Sequence, residues 1–202
     1  FVVHGRLDGP DQSYAWLDIN NGRSFRRAAD LLFDLGHRRL ALLNGPEVMD
    51  FAARRRAGYL EAHRARAIPA DPALMLADEM TEGFGFRAGL ELLRSEAPPT
   101  AFLVSSYIIA LGVRRAAETL GLSLGTDISL ITHDDDLSYL NNRGDVPAFS
   151  ATRSSAREAG RRCAEIVIER IAEPDAPPLQ ELWETELTIG LSTGPCRSAD
   201  AT

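Results

Sequence analysis

From about position 38 onward, short apolar runs alternate with amphipathic segments, the pattern of a parallel sheet covered by helices. Runs at 40–43, 73–76, 101–104 and 128–131 are predicted strands, and helical periodicity predicts helices at 21–35, 51–66, 82–95, 107–120 and 155–172. In the first helix Phe25, Ala28, Ala29, Leu32 and Leu35 recur at spacings of three and four, while Arg26, Arg27, Asp30 and Asp34 fall on the other face. Gly36 and Gly121 stand where helix stops belong. Phe1-Val2-Val3-His4 reads as a strand, 149–153 as a lone strand or crossover, and 180–190 as a final extended stretch. Asn141-Asn142-Arg143-Gly144-Asp145 is turn-rich, and Glu173-Pro174-Asp175-Ala176-Pro177-Pro178 is a proline-rich loop.

Composition narrows the class. With 202 residues, 45% hydrophobic and 25% charged, the chain has the make-up of a folded globular protein rather than a disordered one. Its formal charge of −7 and the absence of basic tracts argue against a free-standing nucleic-acid surface. All 22 basic residues are arginine, which excludes a lysine Schiff base and a Walker-type lysine. Cys163 and Cys196 have neither metal-ligand nor disulfide-framework spacing, so a reducing, cytoplasmic setting is expected. No apolar run approaches the roughly 18 residues that spanning a bilayer requires, so no membrane partner is expected. No G-x-G-x-x-G follows a strand, and no cofactor is expected. Gly190-Leu191-Ser192-Thr193-Gly194 matches the nucleophile-elbow pattern, but no histidine follows His133. A chance match is the better reading, and no enzymatic activity is expected.

Three clusters carry possible chemistry. Asp134-Asp135-Asp136 follows a predicted strand, placing carboxylates where open α/β sheets bind ligands. Those acids suit hydroxyl recognition, a hard cation, or a solvated capping turn. Arg54-Arg55-Arg56 lies near the start of a helix, and three adjacent helical residues point about 100° apart, so at most one or two face a cleft. Ser105-Ser106, after the third of these strands, offers two small donor-acceptors at the same edge or a helix N-cap.

Together these segments resemble a known family. Asp34-Leu35-Gly36-His37-Arg38-Arg39-Leu40-Ala41-Leu42-Leu43-Asn44-Gly45-Pro46, followed by Arg55-Arg56-Ala57-Gly58-Tyr59, is similar to the "GH-basic-x-I-A-x-x-x-G … R-x-x-G-Y/F" signature of LacI/GalR-type transcriptional regulators. Pro99-Thr100-Ala101 through Gly112 resembles the family's "P-T-A … A-x-G" element. Gly121 to Asp135 resembles its "D-I-S … D-D" stretch, and Glu186 to Thr193 its terminal "E-L-x-x-R-x-S-T". The matches run in order along the chain.

The resemblance implies an α/β, periplasmic-binding-protein type I-like fold with parallel sheets flanked by helices, a small-molecule effector held between two lobes, and a homodimer. Operator DNA would be bound through a headpiece absent from this chain. It also implies an N-terminally truncated chain: 1–36 as a partial N-terminal lobe, and 37–147 as a nearly complete C-terminal lobe. Residues 148–178 would be a crossover and returning helix, and 179–202 the final C-terminal-lobe strand and tail. The effector implied is a mono- or oligosaccharide. Carried over by position, Arg55 matches the sugar-binding arginine, Asp134 the first acid of the "D-D" pair, Ser106 a ligand-touching position, and Met80 lies near the stacking aromatic. Asn20 and Asn21 stand where Asp-Asn is common, and with Phe51 they complete the expected ligand-binding set. Departures from the family pattern fall at Tyr107, Thr132-His133 and Gly190. A periplasmic sugar-binding component of a transporter is the alternative on the same fold, and a Mg²⁺ enzyme using the acidic triplet a third reading.

Overall fold

The computed structural model describes residues 1–7, 13–136, 142 and 145–197. In chain order the elements are β1 (Val2–His4), β2 (Ala15–Ile19), α1 (Asn21–Asp34), β3 (Leu40–Asn44), α2 (Asp50–Ala65), β4 (Met75–Ala77) and α3 (Glu82–Leu93). They continue as β5 (Ala101–Val104), α4 (Tyr107–Thr119), β6 (Ser129–Asp134), β7 (Ser150–Arg153), α5 (Ala156–Ala172), β8 (Gln180–Trp183) and β9 (Glu186–Thr188). Asn141, Arg143 and Gly144 of the turn-rich run lie outside the described residues.

The strands form two sheets, one of order β1-β2-β8 and one of order β4-β3-β5-β6-β7-β9. Among the described residues every strand pairing is parallel except β7 with β9. In the larger sheet β3 is buried throughout, as a central parallel strand covered on both faces must be. Its side chains alternate: Leu40 and Leu42 pack with Phe25, Leu32 and Tyr59 from α1 and α2, whereas Ala41 and Leu43 pack with Phe84 and Val113 from α3 and α4. Each helix pair closes over glycine. A Cβ on Gly58 would lie 1.9 Å from the Gly22 carbonyl oxygen, and one on Gly112 would lie 2.1 Å from that of Glu82. In the smaller unit Ala159 and Ile166 of α5 cover Ala15 and Leu17 of β2.

The chain passes between the units three times, after β2, after β7 and between β8 and β9. These crossings differ from the expected boundaries at 36, 147 and 178. Residues 21–34 form α1, which belongs with the larger unit because its apolar face is buried in the same cluster as Leu40, Leu42 and Tyr59. Residues 150–153 are still a strand of the larger sheet, and 180–183 pair with β2 of the smaller one. The strand expected at 73–76 begins later. Pro72–Leu74 forms a 3-10 turn capped by Asp71, and extended pairing starts at Met75. Strand β2 carried no sequence expectation.

Candidate functional site

A cavity of about 290 Å³ lies between the two units at the C-terminal ends of their strands. The smaller unit lines it with His4, Gly5 and Asp18, and with Ala156 at the start of α5. The larger unit contributes Asn21, Phe51, Arg55, Met80, Ser105, Ser106, His133 and Asp135. This is the place where open parallel sheets collect ligands, because helix N-termini and strand-end loops converge there.

Arg55 is the centre of the site. Phe51 and Arg55 are four residues apart on α2 and so project from one side of it. The guanidinium lies 5.1 Å from the Phe25 ring centroid and 5.0 Å from that of Phe51. Its Nε donates to Asn21 Oδ1 at 2.8 Å and its Nη1 to the Ser105 carbonyl at 2.7 Å. Burial pulls its pKa down to about 9, against the opposing influence of the Asp135 and Asp18 carboxylates, so it stays charged at neutral pH. The neighbouring arginines turn elsewhere, Arg54 to Asp18 and Arg56 to Glu47.

The surrounding groups are equally fixed. Asn44 Oδ1 accepts from Gly45 N at 3.0 Å and from Ser105 Oγ at 2.5 Å, locking the strand ends that present Ser105. Ser106 serves in both expected ways, lining the cavity while accepting from Ile109 N to cap α4. Met80 and Phe51 flank Gly45, where a Cβ would meet both, and they form an apolar wall. His133 is buried, its Nδ1 3.0 Å from Thr152 Oγ1 and its Nε2 3.3 Å from Ser154 Oγ. Desolvation, reinforced by Arg55, holds its pKa well below the usual histidine value, so it offers the cavity a neutral imidazole.

Two expected residues are absent from the lining. Asp134 is the last residue of β6 and only 4% exposed; its Oδ1 accepts from Asp136 N at 3.0 Å and its Oδ2 lies 3.8 Å from Arg153 Nε. Burial raises its pKa. The next acid, Asp135, lines the cavity in its place. Asn20 caps α1 by accepting from Arg23 N and donates Nδ2 to Glu184 Oε1 at 2.9 Å. Of the other lining residues, Asp135 belongs to the acidic triplet singled out in the sequence, whereas His4, Gly5, Asp18, His133 and Ser154 were not among the expected ligand-binding residues. Asp18 carries the same signal as the acidic triplet, a carboxylate closing an apolar strand, but its strand was missed.

Other conspicuous features are architectural. A more open groove of about 880 Å³ between α1 and α2 is rich in arginine, yet Arg26 and Arg23 there are ion-paired to Glu61 and Glu184. In the elbow-like pentapeptide, buried Ser192 donates to the Leu130 carbonyl at 2.6 Å and accepts from Ser150 N at 2.9 Å. Among the described residues no group of three or more His, Cys, Asp or Glu is placed to hold a metal ion. No helix among them is long and apolar enough to cross a membrane.

Two α/β units joined by three crossings around an arginine-centred cavity define a ligand-binding domain of the periplasmic-binding-protein type I architecture. Residues 29–193 match the family described as "Periplasmic binding protein-like domain". The chain is 45% identical over 195 residues to the HTH-type transcriptional regulator AglR of Rhizobium meliloti, covering 96% of this chain and 55% of that protein. It is 28% identical over 190 residues to the HTH-type transcriptional regulator CelR of Thermobifida fusca, covering 94% and 55%. Among solved structures, a LacI-family regulatory protein from Chloroflexus aggregans superposes with a TM-score of 0.83 at 34% identity, covering 96% of this chain and 68% of that one. A CelR–cellobiose complex superposes with a TM-score of 0.84 at 28% identity, covering 95% and 58%. This chain therefore belongs to the periplasmic binding protein-like family, as an effector-binding domain of the LacI/GalR type. It spans about half the length of the curated relatives it matches.

Proposed function

We propose that this chain is the effector-sensing part of a cytoplasmic, homodimeric LacI-type transcriptional regulator that binds a sugar between its two units. Operator DNA is contacted through a headpiece outside this chain. The observation that carries the reading is Arg55: a buried, charged guanidinium oriented by Asn21 and Ser105 and facing a cavity walled by both units. Planar polar groups beside an apolar wall suit a polyhydroxylated ring, with Arg55, Ser106, His133 and Asp135 for hydroxyls and Phe51 and Met80 for its apolar face. The kinship to a regulator solved with cellobiose supports the same class of ligand.

Mechanistically, a sugar touching Arg55 on one unit and His4 or Asp18 on the other binds one interunit angle better than another. Only that difference in affinity shifts the equilibrium the DNA-binding part responds to. The test is calorimetric titration of the full-length protein with maltose, cellobiose, sucrose and trehalose, followed by an operator gel shift. Binding of one sugar, lost in Arg55→Ala and accompanied by changed operator affinity, is expected. Binding unaffected by Arg55→Ala, or no binding of any of the four, overturns the reading.

A further inference from the structure

We propose that Asp18 is an effector-binding residue supplied by the smaller unit, and that Arg54 of the larger unit is its positioning residue. This rests on the reading that the cavity holds a polyhydroxylated effector. Asp18 lies near the end of β2, is 5% exposed and lines the cavity. Its Oδ2 accepts from Arg54 Nη1 at 2.8 Å and from Arg6 Nε at 3.1 Å. Neither bond falls on Oδ1. Two guanidiniums on one oxygen fix the carboxylate plane and leave the second oxygen to accept from a ligand hydroxyl, a charge-assisted bond stronger than a neutral one.

Arg54 does not line the cavity; it lines the outer groove between α1 and α2. Its bond to Asp18 nevertheless runs from α2 to β2 and so joins the two units beside the first crossing. The side chains of this pair are 14% and 7% exposed, so solvent screens it far less than a surface pair. Arg6 belongs to the same unit as Asp18 and stays with it at any interunit angle, whereas Arg54 does not. The setting of the Asp18 carboxylate thus depends on that angle, and a hydroxyl bound to Asp18 discriminates between angles. Such a difference is what coupling between effector and lobe closure requires. Asn20, the position where the family resemblance led one to expect an acid, is committed to capping α1 and to Glu184. Asp18 supplies the carboxylate instead.

The experiment uses the full-length protein and the same four sugars. For the sugar that binds, Asp18→Asn is expected to weaken affinity at least tenfold, and Arg54→Met by a similar factor although residue 54 lies outside the cavity. The double variant should be no more than twofold weaker than Asp18→Asn alone, and Arg54→Lys should recover part of the loss. A merely structural Arg54 would lower the melting temperature and leave affinity within twofold of wild type, which overturns the proposal. Unchanged affinity in Asp18→Asn does the same. Should none of the four sugars bind the wild-type protein, the sugar reading falls by itself, and hydrogen exchange without ligand decides the pair. Arg54→Met should then speed exchange of the amides at 19–21 and 183–185 at least fivefold, and unchanged exchange overturns the interunit role.

Discussion

Replacing Arg55 with methionine separates function from stability, because the guanidinium is held at a cost. Its fall from the ordinary arginine value to about 9 corresponds to roughly 5 kcal/mol against the charged form, at about 1.36 kcal/mol per pH unit. The bonds to Asn21 Oδ1 and the Ser105 carbonyl return about 1.5–3 kcal/mol each, as hydrogen bonds to a charged group do. The two terms nearly cancel. Methionine has comparable length and places a polarizable sulfur between the Phe25 and Phe51 rings, while the freed acceptors border a cavity open to water. Stability should therefore change by no more than about 2 kcal/mol, a melting shift within roughly 8 °C for a chain of this size. Sugar affinity should fall by about 2–5 kcal/mol, roughly thirtyfold to several thousandfold, the usual cost of truncating one partner of a buried charged contact. Circular dichroism melting and calorimetric titration read the two quantities on the same preparation. A melting temperature lowered by 15 °C or more would show that Arg55 is a structural keystone, and affinity within threefold of wild type would remove it from the site.

The glycine contacts give an opposed pair of substitutions. Gly58→Ala places a Cβ 1.9 Å from the Gly22 carbonyl and should cost about 3 kcal/mol by forcing α1 and α2 apart, seen as a lower urea midpoint; a midpoint within experimental scatter of wild type would mean that this crossing is not tight. Gly160→Ala meets nothing within 4 Å inside α5 and should add about 0.5–1 kcal/mol of stability through the unfolded chain's lost freedom, seen as a higher midpoint, an outcome that a decrease would contradict. Acid should destabilise the fold early, because burial holds His37, His63 and His133 below their unfolded value of 6.5. Below pH 6.5 the unfolded chain then binds more protons, and stability should drop by pH 5.5, by at most about 4 kcal/mol for the three together, whereas the raised pKa of Asp134 acts in the opposite sense as the pH falls through it. A melting temperature flat between pH 7.5 and 5.5 would refute this, and His133→Gln should remove about a third of the drop.

Helices were legible almost to the residue because their signals are local: a 3.6-residue apolar period, in some a capping side chain such as Thr81 or Ser106, and after α1 and α4 a glycine stop with positive φ at Gly36 and Gly121. Sheet membership was not, since it depends on distant partners. The apolar face of α1 looks the same whichever unit it covers, and only its packing on Leu40 and Leu42 decides. The site was read in the same uneven way. Arg55, Ser106, Asn21, Phe51 and Met80 all line the one cavity, being tied to helix starts and strand ends that periodicity locates. Asp135 rather than Asp134 lines the cavity, because β6 runs on to Asp134 and the sequence does not say whether that strand ends at Ile131 or at Asp134. One position along a strand turns a side chain to the other face.

The signature through which the chain resembles its relatives serves chiefly to fix distances. His37 stands at the far end of the sheet from the cavity, where its ring nitrogens meet Thr100 Oγ1 at 2.9 Å, Ser129 Oγ at 3.0 Å and the Gly194 carbonyl at 3.1 Å, tying the starts of β5 and β6 to the C-terminal segment. Tyr59 donates its hydroxyl to the Leu40 carbonyl at 2.7 Å and seats α2 on β3. Gly58 and Gly22 set the separation of α2 and α1. Those same two helices supply the two ends of the Arg55–Asn21 bond, Asn21 at the first position of α1 and Arg55 one turn before Gly58 on α2. Because the guanidinium is oriented by a residue of the neighbouring helix, the spacing the glycines impose is also the spacing that aims Arg55 into the cavity. The packing motif and the binding geometry are therefore one arrangement, and a chain that keeps the first positions the second.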